Sequence, residues 1–575
     1  MPHDLIVRAG TVVDGTGRAP FTADVGVCDG VIGEIGRIEG DAPEVIDADG
    51  LVVTPGYVDV HTHYDGQITW DPQIAPSSYH GVTTVVVGNC GVGFAPVRAG
   101  RQDFLIELME GVEDIPGTAL SEGIDWSWET FPEYLDALDR LRWALDVATQ
   151  IPHAAVRAYV MDERGARNES ARAEDVARMA QIVREGMQAG ALGVSTSRIL
   201  AHLSSAGEVV PGTYADEQEL RALAGVLQDL GTGVFEVVPR GMDGEVSDAA
   251  HAEIEWMGRL AQTTRRPLTY SLVQTHTEPD RWREMLDATA KLRAGGAPIC
   301  AQVANRPTGI LIGLQTENHP FSTRPSYREL EGLPLSERVA RLADPRVRAR
   351  ILAERNGTYD HPLAAMVHTG FGNMYSLGDP PDYEPEPGQD VESLAQQQGR
   401  SPEDLCLDLM LEHGGRNLLM FPFTNYVYRS MDVVHEMLTH EASVFGLGDG
   451  GAHCGVACDA SGNTLMLSHW VRSRSRGPRV PIETAVRWMT SEPAELYGLS
   501  DRGRIAPGCK ADLNVIDLDT VDLEAPEVIF DLPAGGRRLM QRARGYRATL
   551  VSGEVTLRDD QPTGIRPGRL VRGAR

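Results

Sequence analysis

The sequence predicts an α/β protein: a (β/α)₈ TIM-like barrel that carries a small β-sandwich formed by the N- and C-terminal segments. Two observations support this prediction. Eight short apolar strand candidates alternate with helical patterns through the middle of the chain, which is typical of a parallel sheet. Both ends of the 575-residue chain show short strands and tight turns instead. We therefore expect residues 1–56 and 505–575 to form the sandwich domain and residues 57–504 to form the barrel domain.

The two ends share an alternating pattern. Residues 4–10 alternate apolar and polar side chains and stop at a glycine, and residues 11–15 finish in an Asp-Gly turn signal. Residues 511–517 and 548–553 repeat the pattern near the C-terminus. A strand of this kind needs a partner to cover its apolar face, so we expect the two ends to pair with each other.

The eight strand candidates of the middle segment are short, apolar and separated by helical patterns. They are residues 57–63, 83–90, 152–158, 192–196, 233–238, 268–274, 298–304 and 443–449. Helical patterns cover residues 174–189, 216–229, 250–263 and 282–293. Eight β/α units are the number that builds a closed barrel of this class.

Two long segments interrupt the alternation. One insertion covers residues 92–150, after the second strand candidate, and the other covers residues 305–441, after the seventh. Long loops of barrels sit at the catalytic face, so we expect both insertions to act as lids or pocket walls.

Composition excludes several classes of function. The formal net charge of −29 opposes binding to nucleic acid and to anionic membranes. No window approaches 18 apolar residues, so no membrane span is expected, and the N-terminus lacks the pattern of a signal peptide. Seven scattered cysteines fit reduced thiols in the cytoplasm better than a disulfide framework. We expect a cytoplasmic protein whose partner is a small molecule, and the oligomeric state stays open.

His61 and His63 give the clearest chemical signal. In a strand, side chains two residues apart point to the same side, so both imidazoles face one way. They lie at the C-terminal end of the first strand candidate, where the active sites of barrels are found. Two imidazoles so placed can bind one divalent cation such as zinc, although a hydrogen-bonded pair of core histidines has the same pattern.

The context of this pair resembles the amidohydrolase superfamily. Residues 48–65, which read ADGLVVTPGYVDVHTHYD, are similar to the first strand of that superfamily, and residues 81–91 (GVTTVVVGNCG) resemble the second strand of its N-acyl-D-amino-acid deacylase (D-aminoacylase) branch. Residues 490–494 and 498–508 resemble the C-terminal return of the same branch. The resemblance covers both ends of the chain well and the two insertions poorly.

The resemblance implies a metal ligand and a catalytic carboxylate. It makes Cys90 a ligand, where the alternative is an inert buried thiol. Only two lysines occur, Lys291 in a helical pattern and Lys510 in the terminal β-unit, so no lysine is placed to bridge two metals and a thiolate can take that role. Asp449, at the end of the eighth strand candidate, resembles the catalytic aspartate that shuttles a proton. His453 either stabilises an oxyanion or caps its loop.

The chain departs from the branch at two metal positions. The branch has a histidine at the end of the fifth and of the sixth strand, and these positions fall near Val237 and Leu272. Glu236 and His276 are the nearest substitutes, but a shift of one residue turns a side chain to the other face of a strand. We therefore expect one zinc ion (Zn²⁺) rather than two. Its expected ligands are His61, His63, Cys90, Asp449 and Glu236, and iron, manganese and cobalt remain options.

The lysine that binds the substrate carboxylate in this branch is also missing, with Gln274 near its place. An arginine can bind a carboxylate through two parallel hydrogen bonds. Three arginines follow barrel strands, and each has the alternative of a surface or salt-bridging role. The expected substrate-binding residues are Arg198, Arg240 and Arg306, with His153 beside them.

Taken together, these residues predict a metal-dependent hydrolase that cleaves the amide bond of an N-acyl amino acid, an anionic small molecule, with metal-activated water. One alternative keeps the fold and cleaves another C–N bond, in a cyclic amide, a urea-type group or an amino-heterocycle. A second alternative is a non-catalytic scaffold of the same fold.

Overall fold

A computed structural model describes residues 3–241, 249–357 and 362–573 of the chain. Two parallel sheets lie in the middle of the sequence, and one mixed sheet is built from both ends. In the described residues no helix combines the length and the apolarity that a bilayer span requires.

The N- and C-terminal segments pair in one nine-stranded sheet. Val52–Pro55 and Leu513–Ile516 lie antiparallel at its centre and connect the strands of the two ends. Their inward side chains belong to an apolar cluster that draws on both ends of the chain. The other strands are Leu5–Val12, Phe21–Cys28, Val31–Gly36, Glu44–Asp47, Tyr546–Val551, Glu554–Arg558 and Gln561–Pro562.

The middle of the chain forms two sheets of parallel strands that are buried along almost their whole length, as expected where both faces are covered. A parallel bridge between Thr62 and Gly450 also links the segment after the first strand to the segment after the last. The first sheet contains Tyr57–Asp59, Val82–Val87 and Asp146–Thr149. The second sheet contains Ile151–Pro152, Gly193–Ser197, Val234–Val238, Leu268–Ser271, Ile299–Val303 and Ser443–Phe445.

Seven of the eight predicted strands are confirmed, with shorter ends, and the third is wrong. Residues 152–158 form the start of the helix His153–Met161, and the third strand lies earlier, at Asp146–Thr149, inside the segment assigned to the first insertion. A short apolar run does not distinguish a buried strand from a buried helix. Pro152 precedes the first helical turn, where proline is tolerated because no backbone N–H is needed.

The helices predicted between the strands are confirmed. They are Ala173–Ala189, Glu217–Leu230, Ala249–Thr264 and Arg281–Ala294. Asp216 caps the second of them by accepting a hydrogen bond from the backbone N–H of Glu219. The other helices outside the second insertion are Gln102–Glu113, Gly117–Gly123, Phe131–Leu138, Glu163–Ala166, Gly462–Leu465, Ile482–Met489 and Ser491–Leu496. The helix Asp432–Thr439 lies at the end of that insertion and packs against the main apolar core.

The second insertion has an apolar core of its own. Its three strands, Thr308–Ile312, Leu419–Thr424 and Tyr375–Ser376, pair antiparallel. Its helices are Pro325–Arg328, Leu335–Leu342, Pro345–Ala353, Pro362–Thr369, Val391–Gln398 and Pro402–Gly415. The insertion is therefore a small folded layer rather than a long irregular loop.

A hairpin near the C-terminus lies outside the nine-stranded sheet. Its strands are Glu527–Leu532 and Gly536–Met540, and a shorter pair, Asp522–Leu523 and Ala543–Arg544, lies at its base. Residues of the hairpin line the main cavity of the molecule. The sequence analysis placed this segment in the sandwich and did not foresee its contact with the cavity.

Candidate metal centre and active site

His61 and His63 directly follow the first parallel strand and are buried. The backbone N–H of His63 donates to Gly450 O over 2.7 Å, and the backbone N–H of Asp449 donates to His61 O over 2.9 Å. These two bonds tie the end of the first strand to the loop after the eighth. They bring both imidazoles and the Asp449 carboxylate to the same place.

Cys90 completes a group of three candidate metal ligands. Its Sγ atom lies 3.2 Å from His61 Nε2 and 3.8 Å from His63 Nε2. The three candidate donor atoms all lie within 4.8 Å of one another. Cys90 has a positive φ of 53°, a strained conformation for a residue other than glycine, and such strain clusters at functional sites.

The far nitrogen of each imidazole faces a side-chain oxygen. His61 Nδ1 lies 2.9 Å from Gln302 Oε1, and His63 Nδ1 lies 3.3 Å from Glu113 Oε1. A proton on each Nδ1 leaves the lone pair of each Nε2 facing Cys90. Contacts of this kind fix the tautomer and the orientation of metal-binding histidines.

Asp449 faces the same space. Its Oδ1 atom lies 3.4 Å from His61 Nε2 and 3.8 Å from His63 Nε2. Burial, together with the nearby Asp459 carboxylate, raises the pKa of Asp449 to about 7. Its φ of 42° is again in the left-handed region.

Buried carboxyl groups surround the centre, and none of them forms an ion pair with arginine or lysine within the described part of the chain. Burial raises the pKa of Asp65 and of Glu236 to about 8, and that of Glu113 well above its ordinary value. Buried negative charge is costly unless a cation compensates it. The nitrogen and sulfur donors together with these carboxyls therefore fit a divalent cation, and zinc accepts all three donor types.

Glu236 contacts Cys90 through the backbone. Its Oε2 atom accepts the N–H of Cys90 over 3.0 Å, and its Oε1 atom has no hydrogen-bond partner in the described residues. Glu236 thus lies beside the three-residue group and holds the loop of Cys90.

The fifth and sixth strands offer no second set of imidazoles. Val237 and Leu272 are fully buried in the apolar core. The side chains that face the cavity from these strands are Val238, Ser271 and Val273. His276 is exposed and does not line the cavity.

The centre opens into a cavity of about 1220 Å³. Its walls come from the parallel strands, the helix that ends at Glu113, the second insertion and the C-terminal hairpin. The prediction that the insertions form pocket walls is confirmed for these segments.

The three predicted substrate-binding arginines do not line this cavity, because they serve other contacts. Both oxygens of Glu253 accept hydrogen bonds from Arg198 Nε, and Asp459 and Ser461 accept those of Arg306. Arg240 donates to Thr213 O.

His153 is also held away from the cavity. It starts a helix, and its ring nitrogens lie 2.9 Å from Thr196 Oγ1 and from Glu219 Oε1. It therefore belongs to a buried polar cluster.

The centre and its cavity contain functional candidates that the sequence analysis missed. Glu113 lies at the end of a helix in the first insertion, where no motif marks it. Gln302 is on the seventh strand and contacts His61, at a position that alternation could have assigned to the interior. His202 lines the cavity from the loop after the fourth strand, 2.9 Å from Ser197 Oγ. His453, which the sequence analysis did single out, lines the cavity from the loop after Asp449.

Comparisons with known proteins agree with this geometry. A family model described as an amidohydrolase family matches residues 44–557. An uncharacterised Mycobacterium tuberculosis protein is 29% identical over 97% of this chain and 92% of its own length. D-aminoacylase of Alcaligenes xylosoxydans xylosoxydans is 27% identical over 99% of this chain and 98% of its own length.

A solved structure extends the comparison to the fold. N-acyl-D-glutamate deacylase from Bordetella bronchiseptica, complexed with zinc and a phosphonate inhibitor that mimics the tetrahedral intermediate of its reaction, is 23% identical to this chain. The two structures align over the whole of both chains with a TM-score of 0.65. This likeness shows that they share a fold.

Proposed function

Since the chain belongs to the amidohydrolase family, and is thereby a metal-dependent hydrolase that acts on C–N bonds, we propose that its substrate is an N-acyl amino acid. Hydrolysis adds water across the amide and releases a carboxylic acid and an amino acid. One observation carries the proposal: the Nε2 atoms of His61 and His63, the Cys90 thiol and the Asp449 carboxylate converge at the end of a large cavity. Similarity to D-aminoacylase over nearly the whole of both chains supports the choice of substrate.

We propose that His61, His63 and Cys90 hold one zinc ion, with Asp449 as a further ligand. When bound, the ion polarises the scissile carbonyl and lowers the pKa of water at the site. The valines and the serine that face the cavity from the fifth and sixth strands support one ion rather than two. Glu236 keeps Cys90 in place through the backbone instead of serving as a ligand.

Asp449 is the proposed general base. Its Oδ1 atom faces both imidazoles, so it can accept a proton from the attacking water and deliver it to the leaving nitrogen. His453, with a side chain 40% exposed at the cavity wall, is placed to donate a hydrogen bond to the carbonyl oxygen as negative charge develops there.

A carboxylate on the substrate needs a cationic partner in the cavity. In the described part of the chain, Arg338 and Arg537 are the arginines that line it. Three backbone carbonyls already engage Arg338, whereas Arg537 contacts Gln315 O and the exposed carboxylate of Glu317 at 3.2 Å. A surface ion pair of that kind is weak, so Arg537 can turn towards an anionic substrate.

We also infer that the eight parallel strands close into one barrel, with the ends of the chain as a separate β-domain. The bridge between Thr62 and Gly450 supports closure at one seam, and the continuity of Asp146–Thr149 with Ile151–Pro152 supports it at the other. A cytoplasmic location is proposed as well, since all seven cysteines lie in the described residues and none forms a disulfide.

Replacement of Asp449 tests the proposed chemistry. We expect Asp449→Asn to lower kcat at least about a hundredfold, because the amide cannot accept the proton, while the metal content of the purified protein stays that of the parent. Asp114→Asn is the matched control, since Asp114 also lines the cavity but forms no contact with His61 or His63. Retained activity in Asp449→Asn would contradict the assignment, and joint loss of metal and activity would make Asp449 chiefly a ligand.

A substrate panel tests the proposed bond. N-acyl-D-amino acids, N-acyl-L-amino acids and cyclic imides are offered to the metal-loaded enzyme, and release of free amine or ring opening is measured. We expect turnover of the N-acyl amino acids. Turnover of cyclic imides alone would move the function to another C–N bond.

A further inference from the structure

The apolar core of the second insertion extends to the wall of the catalytic cavity. Leu314 is a buried member of that core and also lines the cavity. Four partly buried residues pack against the same core and line the cavity beside it: Ile310, Leu333, Leu335 and Phe423. The insertion therefore covers one side of these side chains and leaves the other side open to the cavity.

The C-terminal hairpin adds a sixth apolar side chain. Phe530 lines the same cavity and is 66% exposed. A single exposed aromatic residue is ordinary, but a contiguous apolar patch marks a binding site, and Phe530 adds to such a patch. We call these six residues, Ile310, Leu314, Leu333, Leu335, Phe423 and Phe530, the apolar wall.

Arg338 holds part of the apolar wall in place. Its guanidinium group donates to the backbone carbonyls of Leu314 and Leu333, over 2.5 and 3.4 Å, and to Glu331 O over 2.6 Å. The backbone segments that carry Leu314 and Leu333 are thereby held next to each other. The wall is a preformed surface, as is usual for small-molecule sites.

From this geometry we propose that the apolar wall binds the acyl group of the substrate, and that this group is an extended alkyl or aromatic chain rather than acetyl. The inference rests on the proposed function. The amino-acid half of the substrate carries a carboxylate, which would lose its hydrogen bonds against six apolar side chains. The acyl half beyond the scissile carbonyl has no such group. The cavity of about 1220 Å³ also exceeds the range of about 300–1,000 Å³ found for most small-molecule sites.

The first test varies the acyl chain at constant amino acid. Acetyl, butanoyl, hexanoyl and phenylacetyl derivatives of one amino acid, in D and L form, are compared by kcat/KM. Burial of each added methylene should raise kcat/KM about threefold up to hexanoyl. A flat series in which the acetyl compound is turned over as well as the others would overturn the inference.

Variants of the wall test its location. We expect Leu333→Ala with Leu335→Ala to flatten the dependence of kcat/KM on the length of the acyl chain. The matched control replaces Val347 and Leu352 by alanine, because both pack against the same core but do not line the cavity. Phe530→Ala changes an exposed side chain of the wall, and it replaces the double variant in this test if the double variant does not fold. Equal chain-length dependence in wall variants, control and parent would refute the assignment.

A calorimetric measurement of alkyl carboxylate binding distinguishes failure of this inference from failure of the proposed function. The affinity of the metal-loaded protein should rise from acetate to butanoate to hexanoate. In the wall variants this increase with chain length should be smaller. If no N-acyl amino acid is hydrolysed but this dependence is present, the proposed substrate is wrong and the apolar wall is supported. If N-acyl amino acids are hydrolysed without any dependence on chain length, the proposed function stands and the acyl site is refuted.

Discussion

Glu113 is a residue of the centre that the sequence analysis did not predict. Its Oε1 atom lies 3.3 Å from His63 Nδ1, and neither atom has another hydrogen-bond partner in the described residues. A carboxylate in this position holds the proton on Nδ1 and keeps Nε2 available for a metal. Gln302 serves His61 in the same way through an uncharged oxygen.

We predict that Glu113→Gln weakens zinc binding by about 10–100-fold, because outer contacts of metal-binding histidines have effects of that size. The measurement is competition for zinc with a chromophoric chelator, followed by kcat at saturating zinc. Glu107→Gln is the control, since Glu107 lies on the same helix and is exposed. Unchanged zinc affinity in Glu113→Gln would show that His63 needs no such partner.

At the scale of residues, the sequence predicted the positions of the candidate ligands better than their surroundings. His61, His63 and Asp449 follow strands, so alternation and chain order predicted that they lie together, and Cys90 was expected there from the family resemblance. Glu113 lies in an insertion, and no strand pattern or motif in the sequence indicates where that part of the insertion lies. Arg198 and Arg306 were expected to be open to substrate, but their pairing with Glu253 and Asp459 depends on tertiary contacts that strand ends do not reveal.

At the scale of elements, the second insertion is attached to the rest of the protein by a buried ion pair. Both carboxylate oxygens of Glu384 accept hydrogen bonds from Arg474 over 3.0 Å, and His469 Nε2 lies 3.0 Å from Glu384 Oε2. Burial alone would raise the pKa of Glu384, but the contacts with His469 and Arg474 outweigh it and lower the pKa to about 2. The ionised form of Glu384 is therefore favoured more strongly in the folded chain than in the unfolded chain.

We predict that Glu384→Gln lowers the free energy of unfolding by about 1.5–3 kcal/mol at pH 7, because it replaces two charge-assisted hydrogen bonds to the buried Arg474 and leaves Asp432 as the remaining carboxylate partner of that arginine. The folded pKa is depressed, so the contribution is complete above the ordinary glutamate pKa of about 4.5 and is lost as the pH falls towards 2. The difference between parent and variant in urea unfolding should thus shrink below about pH 4.5.

The control for this prediction is Glu386→Gln, in which the carboxylate is 60% exposed and contacts Arg476 at 3.4 Å. Such a pair contributes about 0–1 kcal/mol. A loss in Glu384→Gln no larger than that of the control, or a loss independent of pH, would contradict the role of the ion pair.

The elements also show which features of the fold the sequence patterns do not predict. Seven of the eight strand candidates were placed correctly because short apolar runs alternate with helical patterns in the sequence. The third was misplaced because Asp146–Thr149 contains only four residues, whereas the following segment, which begins at Pro152, has a longer apolar run. The C-terminal hairpin has ordinary strand signals, and only tertiary contacts decide that it lies at the cavity.

At the scale of the whole molecule, charged groups buried near the third strand connect it to the C-terminal part of the chain. Asp146 accepts a hydrogen bond from Arg502 over 2.7 Å, and Lys510 Nζ lies 2.8 Å from the same carboxylate and 2.7 Å from Asp512. One of the only two lysines of the sequence is therefore used to join the parallel strands to the mixed sheet. These buried contacts connect the terminal segments to the parallel strands.

The last residues of the chain add a second connection at the same place. Residues 568–571 run along Asp146–Thr149: Gly568 N–H donates to Trp143 O over 2.8 Å, and Val571 N–H donates to Val147 O over 2.7 Å. Leu570 is buried between them. Gly193–Ser197 pairs with Ile151–Pro152 and not with Asp146–Thr149, so this tail covers a stretch of strand edge that would otherwise be unpaired.

We predict that a chain ending after Pro567 unfolds at a lower temperature than the parent. Loss of one buried leucine and several backbone hydrogen bonds removes at least about 2 kcal/mol, so the midpoint in calorimetry should fall by several degrees. A chain ending after Arg572 keeps the pairing and should melt like the parent. Gly568→Ala should resemble the shorter chain, because a Cβ at this position would overlap Leu145 O. If all three proteins melt at the parent's temperature, the tail does not stabilise the third strand, and the coupling between chain ends and barrel must rest on Asp146, Arg502 and Lys510 alone.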